Sequence, residues 1–215
     1  MKELPKSRCH WCNTNNTLYI EYHDKEWGVA VHDDRKIFEV LLLESFQAGL
    51  SWECILNKRE AFRKAFDNFD YCKIAKYNTE KQESLRQDSQ IIRNSLKIAA
   101  AIGNAKAFME IQAELGSFNK YIWSFTNGIV IYESDKTSSP LSDAISKDLK
   151  KRGMKFVGTT IIYSFLQAIG IINSHEERCW LHKKQTIKRT DRQRMAYSLI
   201  RFKDTISTTS ETIGE

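Results

Sequence analysis

Apolar residues recur at helical spacing through most of the chain, and the breaks between them divide it into short helices. Asp33-Asp34 offers an N-cap, and residues 35–48 follow as a helix. Its middle, Val40 to Phe46, is apolar except for Glu44 and Ser45. Gly49 breaks this helix, leaving Leu50-Ser51 exposed before a second helix over residues 52–66, whose polar face carries Lys58, Arg59, Arg63 and Lys64. A loop with a short helix fills 68–78. Helices are predicted over 80–87 and 93–115, the latter with an apolar stripe of Ile98, Ala101, Ile102, Ala105, Phe108 and Met109. Residues 118–125 read as a short helix, Asn127-Gly128 as a turn, 129–132 as a short strand, and 134–141 as a polar loop. Ser142 is the expected N-cap of a helix to Arg152. Residues 153–158 form a hairpin, and a last helix runs over 159–169 to Gly170. Residues 1–35 read as irregular. The pattern is mainly α, with one domain over 1–182. Residues 183–215, basic and then Ser/Thr-rich, read as a mobile, solvated tail in which 195–202 could form one amphipathic helix.

Glu44 stands out. Burying a lone ionised carboxylate costs several kcal/mol, on the order of the stability of a whole domain. Glu44 is therefore near a surface, paired, or part of a site. The plain alternative is a snorkelling side chain followed by an ordinary glycine cap.

Composition narrows the class. The chain has 215 residues, 41% of them hydrophobic, with 9 Gly and 2 Pro, which suits one helical domain with a real core. No apolar run reaches the about 18 residues of a membrane span. Met1 to Lys6 lacks the apolar core of a signal peptide, so the expected location is cytoplasmic. Five Cys, an odd number, argue against a disulfide framework. The net charge is +6, of which the segment from Lys183 onward supplies +4. The globular part is mildly basic, so any nucleic-acid groove is local.

Three groupings carry chemistry. Cys9 and His23 near one end, with Cys12 as a further thiol, face His175-x3-Cys179 near the other. Two ligands from each end would clip the termini around a metal. Spacing leaves two sets open, Cys9, His23, His175 and Cys179 or Cys9, Cys12, His175 and Cys179, or no site at all. The hairpin, with Lys150, Lys151, Arg152 and Lys155 around the start of a helix, has the pattern of a phosphate clamp. Its alternative is an ordinary hairpin with solvated lysines. Finally, Trp11, Tyr19, Tyr22, Trp27 and Trp52 cluster near Glu44 and the presumed ligands. Aromatic faces beside a carboxylate suit a flat, cationic ligand.

These residues resemble the DNA-3-methyladenine glycosylase I family of the helix-hairpin-helix superfamily. The matching stretches are Arg8-Cys9-x-Trp11, Leu18 to Gly28, Leu43-Glu44-x-x-Gln47-Ala48-Gly49-Leu50-Ser51-Trp52, Ile102-Gly103-Asn104-Ala105, Trp123-Ser124-Phe125, Leu149 to Thr160, Tyr163-Ser164-Phe165 and His175-x3-Cys179. The resemblance covers roughly residues 8–180. It implies a helix-hairpin-helix glycosylase fold and one structural Zn2+ held by Cys9, His23, His175 and Cys179, joining the two ends. It implies that Glu44 reads the damaged base, that Trp52 and Trp11 stack on it, and that Tyr22 and Tyr19 line the pocket. Gly49-Leu50-Ser51 would be the plug that enters the duplex, and Lys155, Gly158, Thr159 and Thr160 the backbone clamp. The implied reaction is hydrolysis of the glycosidic bond of 3-methyladenine in alkylated double-stranded DNA, by base flipping, in a monomer without a lyase step, because residues 171–175 offer neither an Asp nor a lyase Lys. Phe46 beside Glu44, and Gln90 where the family often has Gly, depart from the pattern. A non-catalytic DNA-binding module or a small-molecule binder are the competing readings. Salt-insensitive ligand binding would favour the last.

Overall fold

The computed structural model describes residues 6–183. The expected tail, apart from Lys183, and the helix at 195–202 lie outside the described residues. Within them, helix α1 spans Thr17–Lys25, α2 Asp34–Gln47, α3 Trp52–Asn57, α4 Arg59–Ala65, α5 Tyr71–Ile74, α6 Thr79–Gln87, α7 Ser95–Leu115, α8 Phe118–Ser124, α9 Pro140–Lys151 and α10 Thr159–Ala168. Two short strands, β1 at Ile131–Tyr132 and β2 at Ile172–Asn173, pair in parallel.

α2 is the axis of the core. Asp33 caps it by accepting from the Lys36 N–H, and every residue from Ile37 to Phe46 is buried. A helix that is apolar nearly all round must be covered on all sides, and α2 packs against α3, α7, α8 and α10. Phe46, next to Glu44, is fully buried and meets Phe62 and Phe66 edge-on at 4.9 and 5.7 Å. It serves the core, where each such side chain contributes about 1.5–3 kcal/mol. Gln90 is not at a positive φ, so the position makes no demand for glycine, and its carbonyl accepts from Lys58 Nζ at 2.9 Å.

Four expectations need correction. Residues 17–25, read as irregular, form α1, because Asn16 caps the Leu18 and Tyr19 N–H groups and Tyr19, Tyr22 and His23 make a buried face. The single helix expected over 52–66 is two helices that turn at Lys58. Arg59, just after the turn, points inward and bonds Glu26 at 2.8 and 2.9 Å and Glu39 at 2.6 Å. α9 is capped by Ser139, with Pro140 opening the helix and Ser142 closing the capping box. The helix expected from Arg93 begins at Ser95 after its cap, Asn94.

β2 and the end of α10 fasten the N-terminal segment. Gly28 and Val31 donate backbone bonds to Gln167 and Ile169. Gly170 has φ +73°, and a Cβ there would lie 2.3–2.5 Å from the backbone of Val29 and Ala30. Only glycine permits that approach.

Candidate active site and Cys/His cluster

Five sequence-predicted side chains converge on one cavity of about 370 Å3: Trp11, Tyr19 and Tyr22 from the N-terminal segment and α1, Glu44 from α2, and Trp52 from the start of α3. That volume is at the lower end of small-ligand sites, which run from roughly 300 Å3. Tyr22 and Trp52 stand 5.1 Å apart between ring centroids, and Trp11 lies 5.5 Å from Tyr19 and 4.7 Å from Trp27. The cavity is thus aromatic-walled with one carboxylate inside.

Glu44 is 2% exposed, and its Oε2 and the Trp52 Nε1 are buried without a hydrogen-bond partner. Burial alone pushes the Glu44 carboxyl up to about 8. Burial, and after it the charge of Glu44, raises the Tyr22 hydroxyl well above its ordinary value. Burial also pushes Tyr19 up to about 12. Polar atoms of this kind, without a protein partner in a cavity, are open to water or to a ligand with complementary groups.

Trp27, grouped with these aromatics in the sequence but given no role there, also lines the cavity, and so do Gln47, Ser164, Gln167, Ser174 and Glu176, which the sequence reading left out of the site. Gln47 was findable, since it follows Glu44 by three residues on one helix face. Ser164 and Gln167 share the same spacing on α10. Lys136 is the one lysine among the lining residues. It is half-exposed and ion-paired with Glu133 at 2.5 Å.

At the end of α2, Gly49 takes φ +79° with nothing near its Cβ direction, and Leu50 is 40% exposed. The positive φ is what glycine supplies here, turning the chain so that a large apolar side chain faces outward. Across the same molecule, α9 and α10 are joined by the tight hairpin expected from sequence. Lys155 and Thr160 are exposed there, and Gly158 caps α10 without a side chain. The Thr159 hydroxyl is engaged inward, by Ser142 at 2.8 Å and Asp143 at 2.5 Å. What Thr159 offers outward is its main chain.

Cys9, His23, His175 and Cys179 meet as a buried cluster, their ligand atoms all within 4.8 Å of one another. Cys9 Sγ lies 3.6 Å from His175 Nδ1, and Cys179 Sγ lies 3.5 Å from both that atom and His23 Nε2. Cys12 is outside the cluster, its thiol near the Tyr19 carbonyl. His23 turns its other nitrogen to Asp24 at 2.7 Å, and Asp24 is held by Arg8 through two bonds of 2.6 and 2.8 Å. That Arg8 guanidinium keeps Asp24 down at about 2. Burial pushes the Cys9 thiol up to about 12 and His175 down to about 4. The chain ends are tied independently by Trp180 N–H to Ser7 O at 2.9 Å and by the Glu176 carboxylate, which accepts from the His10 backbone and meets its ring. Trp27 stands between cluster and cavity, edge-on to His175 at 4.7 Å.

Residues 11–182, well over half the chain, match the profile described as methyladenine glycosylase. The chain belongs to this family. It is 47% identical over 178 residues to DNA-3-methyladenine glycosylase 1 of Escherichia coli (strain K12), covering 80% of this chain and 95% of that one. It is 41% identical over 179 residues to DNA-3-methyladenine glycosylase of Haemophilus influenzae, covering 80% and 96%. A crystal structure of 3-methyladenine DNA glycosylase I superposes with a TM-score of 0.79 at 46% identity, over 82% of this chain and all of that one. The Staphylococcus aureus enzyme, solved to define 3-methyladenine recognition, superposes at 0.79 with 32% identity, over 84% of this chain and all of that one. Among the described residues no helix is long and apolar enough to cross a membrane.

Proposed function

We propose that this chain is a base-excision repair glycosylase that hydrolyses the glycosidic bond of 3-methyladenine in alkylated double-stranded DNA. The observation that carries the reading is the unpartnered Glu44 carboxylate inside an aromatic cavity, in a chain whose relatives are named for that activity. N3-methylated adenine is cationic in DNA and a good leaving group. The base is flipped out of the stack, and Trp52 and Trp11 stack on it. Glu44 accepts from its nitrogen edge, with Tyr22 and Tyr19 completing the wall. A cation beside Glu44 favours the ionised carboxylate, so binding draws its raised pKa down. Leu50, carried by Gly49 and Ser51, fills the gap in the duplex. Lys155 and the backbone at Gly158, Thr159 and Thr160 hold a phosphate in the manner of the helix-hairpin-helix superfamily. Water then attacks the sugar carbon.

The same reading makes the enzyme monofunctional. A lyase step needs a neutral amine at the sugar, and Lys136 is exposed and charge-paired. We assign the enzyme to one domain over residues 1–182, acting as a monomer in the cytoplasm.

Cys9, His23, His175 and Cys179 fit one Zn2+. Bonds of about 2.0–2.3 Å at tetrahedral angles place neighbouring ligand atoms roughly 3.3–3.8 Å apart, and three S···N pairs of the cluster already lie at 3.5–3.6 Å, with all four ligand atoms within 4.8 Å of one another. Such an ion would stabilise the thiolates against burial. With four protein ligands its role is structural, and His23 is oriented for it by Asp24.

The test is incubation of the purified chain with methylated duplex DNA. Free 3-methyladenine with an intact abasic strand supports the reading. Strand cleavage without added base or nuclease would refute the monofunctional part, and no base release would refute the whole.

A further inference from the structure

Lys97 and Asn104 are buried polar residues of α7 that the proposed chemistry does not use. Lys97 is 6% exposed, and its Nζ donates to the Phe46 carbonyl at 2.8 Å and the Ala48 carbonyl at 2.6 Å. Those are the C-terminal carbonyls of α2, which has no basic residue in its own last turn. Helix ends leave such carbonyls unpaired, with partial negative charge. Lys97 supplies the missing donor from another helix. It does so from the first turn of α7, where a positive charge opposes its own helix dipole. Among the described residues its hydrogen-bond partners are these carbonyls and no carboxylate. The ammonium therefore pins the chain immediately before Gly49-Leu50-Ser51. Its Nζ also lies 5.9 Å from the ring centroid of Phe156 in the hairpin, a residue held at φ +55°.

Asn104 does the equivalent for the hairpin. It is 3% exposed, its Oδ1 accepts from Lys155 N at 2.8 Å, and its Nδ2 donates to Lys155 O at 2.9 Å. Both backbone groups of one hairpin residue are thus fixed by one side chain. Residues 97 and 104 are seven apart, which is two turns of one helix face and about 10.5 Å along its axis. One straight helix therefore holds the segment that would enter the duplex and the segment that would grip its backbone.

We propose that Lys97 and Asn104 are positioning residues, with α7 acting as a ruler that sets the register between the Gly49-Leu50-Ser51 wedge and the 153–158 hairpin. The proposal rests on the reading that this chain engages DNA. Inserting a wedge requires unstacking, which costs a few kcal/mol per step, and a loose wedge would add its own ordering cost on binding. Pre-fixing both segments removes that second cost.

The experiment uses the full chain and two probes, a duplex carrying a stable abasic-site analogue and free 3-methyladenine. Lys97→Met and Asn104→Ala are expected to weaken duplex binding about tenfold, with affinity for the free base within twofold of the parent. Lys97→Met placed on Leu50→Ala should add less than twofold, because the lysine acts through the wedge. Lys97→Arg keeps donors for the carbonyls, and Asn104→Asp keeps the acceptor for Lys155 N. Both should recover part of the loss, and they carry the test if the larger changes prevent folding. Unchanged duplex affinity, full additivity of Lys97→Met with Leu50→Ala, or an equal loss of affinity for the free base would overturn the proposal. If the parent chain binds the duplex but not the base, the glycosylase reading fails while the duplex comparison still decides the register.

Discussion

Replacing Glu44 with Gln should make the protein more stable at pH 8 while destroying the proposed activity. Burial raises the Glu44 carboxyl from 4.5 to about 8. Between those values the unfolded chain has lost this proton and the folded chain has kept it. The folded state binds more protons, so stability falls as pH rises through this window and levels off above about 8. At about 1.36 kcal/mol per pK unit, the full loss is up to about 5 kcal/mol. Glu44 lines a cavity open to water, so about 2–3 kcal/mol is the expected size. Gln has the same shape and no such dependence. The assay is urea unfolding of both proteins at pH 5 and pH 8, in which every other titrating group cancels in the difference. At pH 5, about half a unit above the unfolded value, Glu44→Gln should be ahead by no more than about 1 kcal/mol. At pH 8, Glu44→Gln should be more stable by about 2–3 kcal/mol. A difference that stays constant from pH 5 to pH 8, or that favours the parent at pH 8, would refute the claim that Glu44 is buried without a compensating partner.

Other outcomes follow from the same geometry. Trp52→Ala should weaken binding of 3-methyladenine by roughly 10- to 100-fold, since one base–aromatic stack is worth about 1–3 kcal/mol; equilibrium titration measures it. Metal content, read by elemental analysis, should vanish in Cys179→Ala and survive Cys12→Ala, whose thiol lies outside the cluster. Asp24→Asn should lower zinc affinity about 10- to 100-fold in a chelator competition, because it removes the carboxylate that orients His23. Ending the chain before Lys183 should leave the salt slope of DNA binding unchanged if the basic tail is only solvated, and reduce it if the tail tethers DNA.

The central stretch was legible because its chemistry is local. An acid inside an apolar run, a glycine and then an exposed Leu and a Trp are all visible within twelve residues, and the structure places them around one cavity and one turn. The Cys/His cluster was legible as two alternatives. Spacing alone did not separate His23 from Cys12; the family resemblance implied His23, and the fold, which brings α1 beside the C-terminal segment, places His23 in the cluster and Cys12 outside it. α1 itself was misread, although Asn16 followed by Tyr19, Tyr22 and His23 carries both a cap and helical spacing. Its aromatic and metal-capable residues drew attention to chemistry instead of periodicity. The turn at Lys58 has no glycine or proline to announce it, and its cause is distant, in the pull of Glu26 and Glu39 on Arg59. The β1–β2 pairing joins segments some forty residues apart, and two-residue strands leave no alternation to read. Gln167 was passed over because a polar residue on a helix face looks the same whether it meets solvent or a cavity, and Ser174, just after β2, sits in no periodic pattern at all.

The most direct test of the account is single-turnover excision from duplex DNA bearing 3-methyladenine, comparing the parent chain with Glu44→Ala. The parent should release the base, and the variant should do so roughly 10- to 150-fold more slowly, the loss of a charged hydrogen bond worth about 1.5–3 kcal/mol, with binding to an abasic duplex preserved. Excision by Glu44→Ala at the parent rate would contradict it.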